Sequence, residues 1–218
     1  MARIARAVVP GIAHHIVQRG VRRMDVFFSS EGREEYLRQL REQGERFGVR
    51  HLTWCLMTNH VHLIAVPESK SSLAQGIGEA HRRYTRYINF REGWRGYLFQ
   101  GRFHSCPVDG SYLLTATRYV LRNPVRAGIV NQPWDYEWSS ARWLVGLVDR
   151  DPLAEESQLL GDITDWRAFL SVDEMAGAEV RKSTRTGRPL GGDAFLEHLE
   201  ALTGRSLRPR KRGPKPQS

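Results

Sequence analysis

The sequence predicts an α+β fold in which a mainly antiparallel sheet is flanked by helices. Segments with period-two alternation are interleaved with amphipathic helical segments. Two apolar segments, 50–57 and 60–66, are separated only by the polar pair Thr58-Asn59, which is typical of a hairpin. The resulting order is strand, helix, two strands, helix, strand, helix. A chain of 218 residues is long enough to form one substantial core in this way.

The first strand and the first two helices have recognisable boundaries. The strand is expected at 13–19, because its polar and apolar side chains alternate, and Gly20 ends it. A helix is expected at 30–47, between a serine cap and Gly48. The hairpin follows, and a longer helix is expected at about 72–90.

Two histidines, His60 and His62, stand in the apolar segment from Met57 to Pro67. Residues i and i+2 of a strand point to the same face, so both imidazoles are expected to project together. Such a pair is either two buried histidines satisfied by hydrogen bonds or two ligands of a metal ion. Cys55 is an odd number of residues from both, so we expect its thiol to face away from them, which disfavours a zinc site that includes it.

A later helix, opening near Tyr112, places a phenol and a carboxamide at its end. It should stop near Asn123, because Pro124 disfavours helical geometry in the residue before it. Tyr119 and Asn123 are four residues apart and therefore share a face. Two imidazoles and an amide oxygen can hold Mg²⁺ or Mn²⁺ at a phosphate, while a tyrosine attacks the phosphorus covalently.

These pieces resemble the REP-associated tyrosine transposases, a branch of the single-tyrosine HUH transposases. The likeness rests on His60-Val61-His62 within LMTNHVHLIAVP, on YLFQGRFHS from Tyr97 to Ser105, and on RYVLRNPVRAG from Arg118 to Gly128. It extends over nearly the whole chain, and the combination in this order is highly specific.

The resemblance implies a ferredoxin-like HUH endonuclease core with a basic carboxy-terminal extension. Tyr119 matches the nucleophile, His60 and His62 match two metal ligands, and Asn123 falls where the family places a third polar ligand, often a glutamine. The implied cofactor is Mg²⁺ or Mn²⁺. The implied substrates are single-stranded DNA hairpins, REP-like palindromes that are cleaved through a covalent 5′-phosphotyrosine intermediate and rejoined.

Charge and aromatic residues also indicate a polyanionic partner. The formal net charge is +9, and neutralising phosphates favours binding. Arginines on the second helix stand beside Tyr84 and Tyr87, a combination that can hold a phosphate backbone and stack on unpaired bases. These tyrosines are also rival nucleophiles. The expected DNA-binding residues are Arg82, Arg83, Arg86, Arg91, Gln100, Arg102, Arg208, Arg210, Lys211 and Arg212.

Three parts are expected along the chain. Residues 1–148 form the transposase core, 149–182 an acidic irregular or helical segment packed on it, and 183–218 a basic DNA-binding extension that is partly disordered. Two cysteines exclude a disulfide framework. No apolar run reaches membrane-spanning length, so we expect no membrane partner and a bacterial cytoplasmic location, nucleoid-associated when bound.

Two other functions are compatible with the same residues. One is a domesticated DNA- or RNA-hairpin-binding protein without turnover, although such a binder has no physical need for Tyr119 together with His60 and His62. The other is a metal hydrolase that uses water and leaves no covalent adduct. The family contains dimers, so a homodimer is a further option.

Overall fold

The computed structural model describes residues 6–156, 160–161, 163–172 and 177–208. The strands and longer helices follow the order expected from the sequence. They are β1 His14–Arg19, α1 Ser30–Phe47, β2 Val49–Met57, β3 His60–Pro67, α2 Ser72–Glu92, β4 His104–Pro107 and α3 Gly110–Leu121. The helices that follow are α4 Asn123–Arg126, α5 Ala141–Leu144, α6 Trp166–Ser171, α7 Gly177–Thr186 and α8 Asp193–Thr203.

The four strands form one antiparallel sheet in the order β2-β3-β1-β4. The β1-α1-β2-β3-α2-β4 succession with this order is the ferredoxin-like arrangement, because β3 is inserted between β1 and β2. The predicted α+β fold with an antiparallel sheet is therefore confirmed.

Helix α1 begins and ends where its sequence signals indicate. The Ser29 hydroxyl accepts a hydrogen bond from the Gly32 amide at 3.2 Å, which satisfies one unpaired donor of the first turn. Gly48 ends the helix with a φ of 65°, a left-handed conformation that costs little without a Cβ. Helix α2 extends two residues beyond the predicted end, to Glu92, and Gly93 ends it in the same way.

The sheet separates two apolar cores. The first lies against α1 and α2 and includes Ile16, Val61, Leu63, Tyr36, Leu40, Ile77 and Tyr84. The second lies against α3 and includes Leu52, Ile64, Val66, Leu113, Ala116 and Val120. Because side chains alternate along β3, His60 and His62 lie on the same face as Ile64, toward α3.

The end of α3 differs slightly from the prediction. The helix ends at Leu121, and Asn123 already belongs to the short α4. Pro124 explains this break, because it lacks an amide hydrogen and is accepted in the first turn of a helix, where no intrahelical donor is needed. Further along the chain, Gly192 is the N-cap of helix α8, and Asp193 is its first helical residue.

Two further findings concern the organisation of the chain. Within the ranges that the structure describes, no helix combines the length and apolarity needed to cross a membrane. The boundary expected between residues 182 and 183 lies inside α7, so the division into three parts stays a prediction.

Buried histidines are expected to make the fold sensitive to acid. Burial lowers the pKa of His81 from 6.5 to about 3, with a smaller contribution from Arg6. Between pH 6.5 and 3 the unfolded chain therefore binds a proton that the folded chain does not, and stability falls as the pH falls through this window. Replacing His81 with phenylalanine should reduce the slope of unfolding free energy against pH by about 1.4 kcal/mol per pH unit between pH 6 and 4.

Urea unfolding at a series of pH values measures that slope. Replacing the exposed His198 with alanine is the matched control, because it removes an imidazole from the surface rather than from the core. Equal slopes for wild type and the His81 variant would contradict the expectation.

Candidate active site

A cleft of about 520 Å³ opens between the sheet and the helices α3 and α7. It contains the predicted catalytic tyrosine, both histidines of the pair, the predicted amide and one predicted DNA-binding residue. Its lining residues are His15, Val17, Gln18, Arg19, His60, His62, Gln100, His104, Tyr119, Asn123, Arg181, Thr184 and Arg185.

The two histidines of β3 lie side by side, with ring centroids 5.1 Å apart. His60 Nδ1 donates a hydrogen bond to the Asn59 side-chain oxygen at 2.6 Å, and His62 Nδ1 lies 3.0 Å from His15 Nε2. Each ring therefore has its Nδ1 occupied and its Nε2 left for a ligand. Burial lowers the pKa of His60 to about 4 and the pKa of His62 well below 6.5, so both are neutral at physiological pH.

Tyr119 projects from α3 toward the histidines and is 8% exposed. Its ring meets the rings of His62 and His15 edge-on, each at a centroid distance of 5.8 Å. The guanidinium of Arg126 lies 4.1 Å from the tyrosine ring centroid. Burial raises the pKa of Tyr119, and the positive charges of Arg126 and Arg181 oppose that rise. The cleft thus holds a protonated phenol in a positive field.

Asn123 offers an oxygen at the edge of the cleft. Its amide nitrogen donates to the backbone carbonyls of Tyr119 at 3.0 Å and Val120 at 3.1 Å. Only the nitrogen of a carboxamide can donate to carbonyls, so these two bonds fix its orientation and leave Oδ1 for a ligand.

Two neutral imidazoles and an amide oxygen suit Mg²⁺ or Mn²⁺, and Mn²⁺ accepts imidazole more readily. The hydrogen bonds on both Nδ1 atoms are the outer contacts that orient metal-binding histidines. Among the described residues, no group of three or more His, Cys, Asp or Glu side chains has a metal-binding arrangement. A metal at His60 and His62 would therefore draw its remaining ligands from an amide, from water or from a substrate phosphate.

The α2 arginines lie away from this cleft. Helix α2 packs on the opposite face of the sheet, and its outer surface forms a shallow groove lined by Gln39, Arg82, Arg83, Arg86, Tyr87 and Phe90, which we call the α2 groove. Arg82 and Arg83 both pair with Glu79, at 2.6 and 2.9 Å. Two positive charges there are thus shared with one carboxylate.

The remaining predicted DNA-binding residues are scattered. Arg91 lies at the end of α2, where it pairs with Glu92 at 2.6 Å, and Arg102 lies on the exposed segment before β4. Arg208 is surrounded by Asp193, Glu197 and Glu200 of α8, at 3.0, 3.1 and 3.8 Å. Arg210, Lys211 and Arg212 lie outside the described residues.

The structure separates Tyr119 from the rival tyrosines. Tyr84 is fully buried in the core under α2, where its hydroxyl donates to the Val26 carbonyl at 2.7 Å. Tyr87 stacks against it, with ring centroids 6.1 Å apart. Neither lines the cleft that holds His60 and His62.

The expectation that Cys55 faces away from the histidines is wrong. Cys55 belongs to β2 and pairs directly with His62 of β3, and directly paired residues of antiparallel strands point to the same face. The prediction treated Cys55 and the histidines as members of one continuous strand. They lie on two strands of a hairpin, and the turn between these strands reverses the chain. Cys55 packs in the core beside Met57, with 3.8 Å between their sulfur atoms.

Reasoning from the sequence missed several residues of this site. His15, Arg19, Arg181 and Arg185 line the cleft, and Arg126 lies against the Tyr119 ring. A partial signal existed for two of them, because alternation along β1 places His15 and Arg19 on one face. That this face adjoins His60 and His62 depends on β1 pairing with β3, where Arg19 lies opposite His60 and Val17 opposite His62. Nothing local in the sequence indicates that pairing.

Comparison with known proteins assigns this chain to a family. The sequence model described as "Transposase IS200 like" matches residues 8–123, more than half of the 218 residues. The chain belongs to the IS200-like transposases. Transposases are enzymes that cleave and rejoin DNA, and this family generally uses a divalent metal ion. The matched residues of the transposase include His60, His62 and Tyr119 and end at Asn123.

Two solved structures are similar to the transposase. One is described as a REP-associated tyrosine transposase bound to a REP hairpin, with a TM-score of 0.58, 16% identity, and coverage of 81% of this chain and 97% of that one. The other is a putative transposase from Deinococcus radiodurans R1, with a TM-score of 0.39, 17% identity, and coverage of 59% and 92%. No curated protein sequence matches. The first likeness shows a shared fold, and the matching family model confirms that the motifs belong to a transposase family.

Proposed function

We propose that this transposase cleaves single-stranded DNA beside a hairpin, with Tyr119 as the nucleophile and His60, His62 and Asn123 as the ligands of Mg²⁺ or Mn²⁺. The observation that carries the proposal is that one cleft contains all four side chains. A protein that only binds DNA gains nothing from a phenol whose ring centroid lies 5.8 Å from that of the neutral His62 imidazole.

The reaction exchanges one phosphodiester bond for another. The Tyr119 oxygen forms a bond to phosphorus, the bond from phosphorus to the 3′ oxygen breaks, and the phenol proton is balanced by the proton that the released 3′ hydroxyl gains. The 5′ phosphate remains linked to Tyr119. A 3′ hydroxyl can later reverse the exchange, so rejoining needs no ATP.

The side chains around the phenol prepare it for attack. Burial keeps Tyr119 protonated before DNA arrives, and the cations of Arg126, Arg181 and Arg19 stabilise the phenolate as it forms. His60 and His62 stay neutral and available as ligands. A divalent cation held by His60, His62 and Asn123 would stabilise the negative charge that develops on the scissile phosphate.

The hairpin specificity of the proposal draws on the solved relative that shares the fold. That protein is described as bound to a REP hairpin. We infer REP-like palindromes as the substrate class of this transposase, since the positive cleft and the aromatic residues of the α2 surface suit a folded single strand with unpaired bases.

Denaturing gel electrophoresis with polarity-labelled DNA tests the proposal. Single-stranded hairpins from around the gene are labelled at either the 5′ or the 3′ end and incubated with Mn²⁺. A 5′-phosphotyrosine link places the 3′-labelled fragment on the protein and releases the 5′-labelled fragment. After trypsin, the DNA-linked peptide should be residues 119–122, because arginines precede and end it. A hairpin with a scrambled stem is the control.

Other outcomes would replace the proposal. A 5′ label on the protein would reverse the polarity of the link. Cut DNA without any adduct would indicate a hydrolase that uses water. Tight binding of every hairpin without cleavage would favour the hairpin-binding protein without turnover.

The α2 groove is expected to contribute to affinity rather than to chemistry. If Arg86 contacts a phosphate there, Arg86→Ala should weaken hairpin binding and reduce the slope of log K against log salt by about 0.7, the value for one single-strand contact. Fluorescence anisotropy at several salt concentrations measures both quantities.

The matched control for this expectation is Arg38→Ala. Arg38 is an exposed arginine on α1 that pairs with Glu35 and Glu42, so its removal changes the net charge equally. Similar slopes for the two variants would show that the α2 groove makes no specific phosphate contact.

A further inference from the structure

A chain of hydrogen bonds links the predicted ligand His62 to a helix far away in the sequence. His62 Nδ1 lies 3.0 Å from His15 Nε2, and His15 Nδ1 lies 2.7 Å from the Thr184 hydroxyl, 169 positions further along. The hydroxyl in turn donates to the Val180 carbonyl at 2.8 Å, within α7. All three side chains are at least nine-tenths buried, so solvent does not compete for these bonds.

The direction of every bond follows from the single hydrogen of a hydroxyl. Thr184 uses its hydrogen on the Val180 carbonyl, which can only accept. The contact between Thr184 and His15 must therefore be donated by His15 Nδ1. An imidazole that carries its hydrogen on Nδ1 has a lone pair on Nε2, so His15 Nε2 is the acceptor of its 3.0 Å contact with His62. The hydrogen of the last bond then belongs to His62 Nδ1.

His60 reaches the same tautomer through a different partner. The Asn59 amide nitrogen donates to the Arg23 carbonyl at 3.2 Å, which turns its oxygen toward His60. An amide oxygen only accepts, so His60 Nδ1 donates. Both predicted metal ligands are thus held with Nε2 unprotonated, one by its chain neighbour and the other by His15 and Thr184.

We propose that His15 and Thr184 are positioning residues of the metal site, which fix the tautomer and the ring orientation of His62 so that Nε2 can bind a divalent cation. This inference rests on the proposed metal role of His62. Thr184 lies beyond the family-matched residues 8–123, so α7 completes a site whose other parts come from the common core. Cys106, 3.7 Å from the Thr184 hydroxyl, packs behind it.

The first test determines the tautomer without metal or DNA. Long-range ¹H–¹⁵N correlation of histidine-labelled protein in chelator at neutral pH distinguishes a hydrogen on Nδ1 from one on Nε2. We expect His60 and His62 to carry it on Nδ1, and His15 to carry it on Nδ1 as well. A hydrogen on His62 Nε2 would overturn the inference, whatever the variants below do.

The second test measures the affinity for Mn²⁺ alone, from the electron paramagnetic resonance signal of the free ion. Thr184→Val keeps the shape of the side chain but removes the hydroxyl, and should raise the Kd for Mn²⁺ about tenfold or more, the usual effect of losing an outer contact. Thr184→Ser keeps the hydroxyl and should restore affinity. Cys106→Ala, which changes the other neighbour of Thr184, is the matched control and should leave the Kd unchanged.

Hairpin binding in chelator and the melting temperature are measured on the same variants. They show whether a weaker affinity for Mn²⁺ results from a loss of folding. A Kd for Mn²⁺ that is equal in wild type and Thr184→Val would overturn the positioning role while leaving the proposed function intact. Absence of Mn²⁺ binding in wild type would instead remove the metal site of the proposed function, and the inference with it. If Thr184→Val does not fold, the tautomer measurement on wild type decides.

Discussion

Replacing Tyr119 with phenylalanine is expected to abolish the covalent protein–DNA adduct and to reduce strand cleavage by at least about a thousandfold. Phenylalanine keeps the buried ring, which meets His62 and His15 edge-on, and removes only the attacking oxygen. Mn²⁺ affinity and hairpin affinity should therefore stay near their wild-type values. A 3′-labelled hairpin on a denaturing gel measures the adduct, and a time course of the cut strand measures the rate.

Tyr84→Phe is the matched control for that result. It removes a hydroxyl from a buried tyrosine that donates to the Val26 carbonyl under α2, so adduct formation should persist even if stability declines somewhat. An adduct that survives in Tyr119→Phe but disappears in Tyr84→Phe would move the nucleophile to the other side of the sheet. Cleavage that survives in Tyr119→Phe without an adduct would indicate water as the nucleophile.

Replacing His62 with alanine is expected to have the second large effect, a rise of more than about a hundredfold in the Kd for Mn²⁺ and a loss of cleavage. Removing a ligand should cost more than the 10–100-fold typical of removing an outer contact. It also leaves His15 Nε2 without its 3.0 Å partner. Chelator added to wild type should produce the same loss of cleavage, and added Mn²⁺ should reverse it there.

The control for this variant is His198→Ala. His198 is an exposed imidazole on α8, and its removal tests for adventitious binding of Mn²⁺ at the surface. Unchanged Mn²⁺ affinity in the His62 variant, or cleavage that continues in chelator, would exclude His62 as a ligand. Either result would leave the tyrosine chemistry of Tyr119 open to a separate test.

Local sequence patterns were sufficient for most of the elements. The limits of α1 are those that its serine cap and Gly48 indicate, and the turn at Thr58-Asn59 does join two strands. The common face of His60 and His62 and the spacing of Tyr119 and Asn123 also follow from the periods of strand and helix. All these features depend on residues a few positions apart, whose geometry the backbone fixes by itself.

Local patterns did not determine how separate elements face one another. Cys55 was assigned to the wrong side because it belongs to the partner strand of the hairpin, and pairing places it opposite His62. The position of the α2 arginines, on the face of the sheet opposite the catalytic cleft, likewise depends on how α2 docks. Neither outcome can be obtained from the period of a single strand or helix.

The sequence by itself determined the elements, the histidine pair and the tyrosine that we propose as the nucleophile. Only the tertiary structure decided which face of the sheet receives α3, that β1 contributes His15 beside His62, and that α7 contributes Thr184 across 169 positions. The physical reason is that strand order and helix docking result from burying apolar surface among distant segments. Contacts between distant segments produce no periodic pattern in the sequence around either of the contacting residues.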